Sequence, residues 1–123
     1  MHDAPSAKEL IEAVKAFIDK TAAPQLTGHA AFHARVASNV LATVLREMEI
    51  RPGAEAAEQA RLESLLGVSG ESVESLNRRL CEEIRSGRMS LSTEGLLAHL
   101  KSTTIDQLSV DQPGYSGLRS AAR

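Results

Sequence analysis

One stretch decides the fold of this chain: Phe32-His-Ala-Arg-Val-Ala-Ser-Asn-Val-Leu-Ala-Thr-Val-Leu-Arg-Glu-Met-Glu-Ile50. Its apolar residues surround most of the circumference of the helix that it would form, and they show no strand-like alternation. At 100° per residue, Arg35, Asn39 and Arg46 fall within about 40° of one another. The stretch therefore predicts a long, largely buried helix with one polar stripe, formed by these three residues.

Helical patterns with short connections extend on both sides of this stretch. The first helix is expected to begin at a capping box formed by Ser6 and Glu9, and the second to run from residue 29 or 30 to residue 50. Pro52 is expected in the first turn of a third helix, where a missing N–H breaks no hydrogen bond. The elements expected after it are a helix end at Gly67, a fourth helix over 73–86, a fifth over 92–101, one further turn at 104–108 and an extended segment over 110–115.

These patterns predict an all-α, bundle-like fold of about five helices. One helical domain is expected over residues 1–115, followed by a flexible tail over residues 116–123. The expected inward-facing residues are Leu10, Ile11, Val14, Phe17, Ile18, Ala57, Leu62, Leu65, Leu66, Val73, Leu76, Leu80, Ile84, Leu96, Leu97 and Leu100, together with the stem of Arg61.

Composition narrows the classes of function. The 123 residues are 42% hydrophobic and 24% charged, which is typical of a soluble globular domain. A net charge of −2, with two Phe, one Tyr and no Trp, gives neither a basic footprint nor a stacking platform, so nucleic-acid binding is not expected. No signal peptide or membrane-spanning run is recognisable, which predicts a cytoplasmic protein without membrane contact.

Candidate chemical groups are few. His29 and His33 have the spacing at which a helix offers two nitrogens to a metal ion, but no third ligand is evident. We expect instead a half-buried His33 bonded to a backbone carbonyl. Cys81, the lone cysteine, is expected to be a partly buried apolar residue. No phosphate loop, dinucleotide turn or nucleophile elbow occurs in the sequence, so we expect no enzyme activity, catalytic residue, metal or cofactor.

The polar stripe has three interpretations. Arginine suits bidentate recognition of oxyanions, so the stripe could bind acidic groups of a partner protein or a small carboxylate or phosphate. Alternatively, acids from neighbouring helices pair with it internally, and the candidates are Glu9, Glu12, Glu58 and Glu63. Tyr115, in the C-terminal segment, either covers an edge of the core or serves as an aromatic handle for a partner.

Several segments together form a recognisable pattern. They are Asp3-Ala-Pro5, Phe32–Leu41 with Arg46-Glu47, Glu58-x-x-Arg61-Leu62-x-x-Leu65-Leu66-Gly67, Leu76-Asn-Arg-Arg-Leu80, Ile84-Arg-Ser-Gly87 and Gln107–Tyr115. The pattern resembles a family of small bacterial proteins classed as a domain of unknown function. The genes of that family commonly lie beside those of an aminoglycoside-phosphotransferase-like kinase and an acyl-CoA dehydrogenase. Ser38 and Gln112 depart from the pattern, where Ala and Asn are more usual.

The resemblance implies a non-catalytic accessory subunit of a hydroxyacyl-CoA kinase, acting in acyl-CoA or hydroxy-acid catabolism. Arg35, Asn39, Arg46 and Tyr115 are the residues that we expect to contact the partner or an anion. Two alternatives remain open at this point: a stand-alone helical protein that binds acyl-CoA or another anion, and a structural homo-oligomer.

Overall fold

The structure, a computed structural model, describes residues 3–122. Within this range every regular element is helical, and none is a strand. The all-α prediction with five α-helices is therefore confirmed. The helices are α1 (Ala7–Phe17), α2 (Gly28–Leu66), α3 (Val73–Arg85), α4 (Leu96–Asp111) and α5 (Ser116–Ala121), with a π-helical turn (Ile18–Ala22) and a 3-10 turn (Ala23–Gln25) between α1 and α2.

The chain divides into two compact units, Met1–Glu49 and Ile50–Arg123. The helix α2 begins in the first unit and ends in the second, so the unit boundary lies inside a helix and not in a linker. One domain over residues 1–115 stays a prediction. The segment that the sequence assigns to a flexible tail contains α5.

The first unit contains α1, the two turns and the beginning of α2. Two contacts set the register of these helices: Ser38 donates a hydrogen bond to the carboxylate of Asp19, and Lys8 lies 4.0 Å from the carboxylate of Glu49. Lys8 and Asp19 are eleven residues apart, and so are their partners Glu49 and Ser38. The earlier residue of the first pair contacts the later residue of the second pair, so the two segments run in opposite directions. The unit is therefore an antiparallel helical pair, which we call the N-terminal hairpin.

The start of α1 follows the predicted capping box. The backbone N–H of Glu9 donates to Oγ of Ser6 at 3.2 Å, which satisfies one of the free N–H groups of the first turn. The carboxylate of Glu9 accepts a hydrogen bond from the Ser6 hydroxyl at 3.2 Å. In a capping box this carboxylate would accept from the backbone N–H of the cap residue instead.

The apolar stripe predicted to be buried on α1 is mostly exposed. Ile11 and Ile18 are half-buried, whereas Leu10, Val14 and Phe17 are 54%, 53% and 59% exposed. Ile11 and Ile18 lie about 20° apart around the helix, and the other three lie roughly 50–110° away from them. The side that α1 turns inward is therefore narrower than the apolar stripe.

A polar contact occupies the best-buried position of the N-terminal hairpin. Ser38 is 5% exposed, and among residues 3–49 no other side chain is classed as buried. Its partner Asp19 also accepts a hydrogen bond from Nζ of Lys15 at 2.7 Å. These two hydrogen bonds, first from Lys15 and then from Ser38, lower the pKa of the Asp19 carboxyl. The described part of the hairpin thus contains no fully buried apolar side chain.

The helix break predicted at Pro52 is wrong. The helix α2 runs without interruption for 39 residues and contains Pro52 in its interior. A proline at this position removes one backbone hydrogen bond, to the carbonyl of Met48. Both residues are exposed, so water can hydrate this carbonyl, and the following residues 54–60 are rich in Ala, Glu and Gln, which favour helix. Strong local helix propensity therefore outweighs the single lost bond.

The apolar core of the second unit is formed by leucines from three helices. Leu62 of α2, Leu76 and Leu80 of α3, and Leu96 of α4 are at most 4% exposed, which confirms four of the predicted inward positions. Partly buried side chains pack around this cluster: Leu66, Val68, Val73 and Met89. Four other expected core residues of this unit are exposed instead, namely Ala57, Ile84, Leu97 and Leu100.

The helix α4 differs from its prediction in length and in the side that it buries. It begins at Leu96 and continues to Asp111, so the predicted short helix and separate turn are one element. Its buried residues are Leu96, His99 and Val110, whereas Leu97 is 60% and Leu100 is 39% exposed. The inward side is therefore rotated from the predicted one, and it carries a histidine.

Gly95 allows α4 to begin beside α2. Its φ is +85°, a left-handed conformation that side chains with a Cβ disfavour, and a Cβ there would lie 3.3 Å from Cδ2 of Leu65. The glycine therefore sets how closely the first turn of α4 approaches α2.

Candidate functional site

Among residues 3–49 of the N-terminal hairpin, eight large apolar side chains are exposed. Six of them form one strip on each helix, and each strip follows helical spacing. The α1 strip is Leu10, Val14 and Phe17, and the α2 strip is Phe32, Val36 and Val40. Their exposed fractions lie between 42% and 59%. Single exposed apolar residues are common, but strips of them on a unit whose described residues include no buried apolar side chain are typical of an interaction surface.

The hairpin register relates the two strips. Asp19 of the turn after α1 contacts Ser38 of α2, so Phe17 and Val40 lie at the same level along the hairpin. Both side chains are more than half exposed. The two strips therefore reach the same level along the hairpin.

The polar stripe lies on the same part of α2. Arg35 and Asn39 are exposed and Arg46 is half-buried, so the prediction of a largely buried helix is wrong for this stretch. Around the helix axis, Asn39 and Arg35 lie about 20° and 60° from Phe32. Two members of the polar stripe thus border the α2 strip.

Three of the four acids proposed as internal partners of the polar stripe have other partners. Glu9 accepts from Ser6, Glu58 accepts from Asn77 at 2.9 Å, and Glu63 accepts from Gln59 at 3.1 Å. Arg46 donates from Nη2 to Oγ1 of Thr43 at 3.1 Å.

The length of the polar stripe bears on what it can bind. At 1.5 Å per residue, Arg35 and Arg46 are about 16 Å apart along the helix axis. A single carboxylate or phosphate group cannot span that distance. The arrangement therefore suits an extended partner surface better than one small anion.

Tyr115 belongs to the second unit, whereas the polar stripe lies in the first. It is the N-cap residue of α5, and its side chain is 51% exposed. The ring lies against Gly117, where a Cβ would come within 2.6 Å of Cε1 of Tyr115. A glycine two residues away therefore makes room for an exposed aromatic ring.

The two histidines of the second helix are both exposed, so the prediction of a half-buried His33 is wrong. The His33 ring makes an edge contact with Phe32, with ring centroids 5.5 Å apart. Among residues 3–122, no group of three or more His, Cys, Asp or Glu side chains is placed to hold a metal ion.

Sequence reasoning missed a polar cluster in the second unit. His99 is 2% exposed, and its Nδ1 accepts a hydrogen bond from Nε of Arg61 at 3.3 Å. Nη2 of Arg61 also donates to Oγ1 of Thr103 at 3.4 Å. Burial, and then the charge of Arg61, lower the pKa of His99, although Glu58 acts in the opposite direction. The imidazole is therefore neutral at neutral pH.

A cavity of about 690 Å³ adjoins this cluster, between the end of α2 and the start of α4. We call it the α2–α4 cavity. Its lining includes Arg61, Leu65, Gly95, Ala98 and His99. The sequence contained one usable signal, since His99 follows Leu96 by three residues and so shares its side of the helix. The contact with Arg61, 38 residues away, had no local signal.

A larger open cavity, of about 1,260 Å³, runs along α3. Its arginines are neutralised by glutamates: Arg78 pairs with Glu74, Arg79 with Glu71, Arg85 with Glu82 and Arg88 with Glu83, at 2.8–3.0 Å. Cys81 also lines it and is exposed, not partly buried as predicted. With its charges paired internally, this cavity gives no argument for an ionic ligand.

A family model described as a domain of unknown function, DUF6285, matches residues 24–115 of the chain. No curated protein and no solved structure is significantly similar to it. Within residues 3–122, no helix combines the length and apolar character needed to cross a membrane.

Proposed function

Since the chain belongs to the DUF6285 family, whose function is unknown, we propose a function from its own surfaces. The protein is a non-catalytic accessory subunit that binds an aminoglycoside-phosphotransferase-like kinase through the N-terminal hairpin. The kinase acts on hydroxyacyl-CoA in acyl-CoA or hydroxy-acid catabolism.

The observation that carries this proposal is the pair of exposed strips on a unit in which residues 3–49 include no buried apolar side chain. Full burial of a large apolar side chain contributes about 1.5–3 kcal/mol. Because these six are already about half covered, a partner that covers them gains roughly 5–9 kcal/mol in total. Association itself costs an estimated 4–15 kcal/mol, so the strips alone give weak binding at best. Polar contacts around them are therefore needed.

Arg35 and Asn39 supply such contacts. Both are exposed beside the α2 strip, which gives the surface an apolar centre with a polar border, the usual anatomy of a protein interface. The guanidinium of Arg35 suits a carboxylate on the partner. We therefore expect the kinase to present an apolar groove with an acidic residue at its rim.

The choice of a kinase as partner follows from the resemblance noted above, in which genes of similar proteins lie beside a phosphotransferase-like kinase. The proposal predicts a stoichiometric complex that forms without acyl-CoA. It also predicts that the small subunit changes the turnover or the solubility of the kinase.

A calorimetric titration of the purified kinase with the full chain tests the proposal. The variant Phe32→Ser/Val36→Ser changes two exposed side chains of the α2 strip, and we expect it to weaken binding at least tenfold. Leu91→Ser is the matched control, because Leu91 is 80% exposed but lies in the second unit. It should bind like the unmodified protein.

Two results would contradict the proposal. One is the absence of binding heat with the kinase encoded beside the gene of this protein. The other is that Phe32→Ser/Val36→Ser and Leu91→Ser weaken kinase binding equally. Sedimentation of the isolated chain is a useful companion experiment. A stable dimer that Phe32→Ser/Val36→Ser dissociates would assign the strips to a homo-oligomer, in which two hairpins form a four-helix bundle.

A further inference from the structure

We propose that the α2–α4 cavity is a binding site for a small organic monoanion, whose oxyanion group, a carboxylate or a phosphate, is bound by Arg61. This site lies wholly in the second unit and requires neither the hairpin surface nor a protein partner.

The charge of Arg61 is the first feature that favours this site. Its guanidinium is partly buried, and its two hydrogen-bond acceptors, Nδ1 of His99 and Oγ1 of Thr103, are both neutral groups. The nearby Glu58 carboxylate accepts its hydrogen bond from Asn77, and no carboxylate of residues 3–122 forms an ion pair with Arg61. A partly buried cation without an anionic partner is costly, and an oxyanion in the adjoining cavity would neutralise it.

The hydrogen-bonding state of His99 is the second feature. Because Nδ1 accepts from Arg61, the neutral imidazole carries its proton on Nε2. The imidazole therefore holds the guanidinium of Arg61 in place through Nδ1 but does not neutralise its positive charge. His99 acts as a positioning residue for Arg61, and Thr103 holds a second nitrogen of the same group.

The start of α4, which opens on the same cavity, is the third feature. This helix of 16 residues has no side-chain cap and no acidic residue in its first turn. The carbonyl of Thr93 accepts from the N–H of Leu96, and that of Gly95 accepts from the N–H of His99. The N–H groups of the intervening Leu97 and Ala98 are free of such caps, and Ala98 lines the cavity. The positive end of the helix dipole thus adds to the charge of Arg61.

Size and lining indicate the ligand class. Ligand sites for small molecules span roughly 300–1,000 Å³, and this cavity of about 690 Å³ falls in that range. Apolar walls from Ala60, Leu65 and Ala98 suit a short carbon chain. The exposed Glu94 also lines the cavity and would repel a second negative group. A monoanion with a short apolar body therefore fits better than a polyphosphate.

The test is an NMR titration of the ¹⁵N-labelled full chain with butanoate and hexanoate in one arm and dimethyl phosphate, a phosphate ester with a single negative charge, in the other. We expect saturable shifts of the Leu97 and Ala98 amides and of Nε–H of Arg61. Saturation by the carboxylates alone, or by the phosphate ester alone, identifies which oxyanion the site takes. Shifts that grow linearly with every salt, or none at all, would overturn the proposal.

Variants locate the binding group. Arg61→Gln should raise the dissociation constant at least tenfold, whereas Arg35→Gln, an exposed arginine of the hairpin, should leave it unchanged. Glu94→Gln, at an exposed position, should lower the dissociation constant several-fold and decides the matter if Arg61→Gln fails to fold. An unchanged constant in Glu94→Gln, or equal effects of the two arginine variants, would refute the assignment. Because no kinase is present, the outcome is independent of the accessory-subunit proposal.

Discussion

Replacement of Pro52 by alanine should stabilise the protein, because the structure places this residue inside a continuous helix. Proline in a helix interior is about 3 kcal/mol less favourable than alanine. Part of this gain is lost, since proline also restricts the unfolded chain, an effect of about 0.4–1 kcal/mol. Pro52 is exposed, so its removal sacrifices little packing. The expected net gain in the free energy of unfolding is about 2 kcal/mol.

The measurement is urea and thermal unfolding followed by far-UV circular dichroism. A gain of this size should raise Tm by roughly 6–12 °C for a chain of this length. Circular dichroism at low temperature should show unchanged or slightly higher helix content. Alanine at residue 52 restores the backbone N–H, which can donate to the carbonyl of residue 48.

Two glycines provide controls of opposite sign. Gly53 lies in the helix, and a Cβ at this position would meet no neighbouring side chain within 4 Å, so Gly53→Ala should add about 0.8–1 kcal/mol. Gly67 follows the last residue of α2 with φ +67°, so Gly67→Ala should destabilise by about 1–2 kcal/mol. If residues 51–53 formed a turn instead, Pro52→Ala and Gly53→Ala would be neutral or destabilising, and that result would refute the continuous helix.

Three further predictions concern packing and pH. Leu96→Ala should lower the free energy of unfolding by about 2–5 kcal/mol and Leu97→Ala by less than about 0.5 kcal/mol, because only Leu96 is buried. Urea unfolding measures both values, and equal effects would contradict the assignment of Leu96 to the inward side of α4. Since the pKa of His99 is lowered in the folded state, its contribution to stability is complete above its ordinary pKa of 6.5 and is lost as pH falls toward the folded value. Urea midpoints between pH 7.5 and 5 should therefore decrease, and His99→Gln should flatten this dependence; a slope that persists in the variant would point to another group. The lowered pKa of Asp19 predicts a similar loss below its ordinary pKa of 3.8, and Asp19→Asn should reduce the decrease of the midpoint between pH 5 and 3; identical acid profiles would contradict the Lys15 and Ser38 contacts.

Local patterns predicted much of the second unit. The spacing that buries Leu76 and Leu80 on α3 lies within a few turns of sequence. Pro52 misled the prediction because a proline followed by glycine usually ends a helix, and here helix-forming neighbours on both sides outweigh it. Which of these two opposing signals prevails depends on their free energies, and a sequence motif does not give those values.

Tertiary contacts explain the remaining errors. On α4, adjacent Leu96 and Leu97 fit two helix sides equally well, and the choice depended on His99 being buried against Arg61 of another helix. In the hairpin, the apolar residues at 32, 36 and 40 predicted burial, because periodicity identifies an apolar side but not what covers it. The three residues of the polar stripe lie on one uninterrupted helix, so their spacing places them on one side of α2, but whether that side faces solvent was beyond the sequence.

The most direct test of the accessory-subunit account is recovery of the tagged protein from its native host at near-endogenous levels, followed by mass spectrometry. The account predicts a phosphotransferase-like kinase in stoichiometric amount with the unmodified protein and its loss with Phe32→Ser/Val36→Ser. Recovery of the protein alone, or only with further copies of itself, would contradict it.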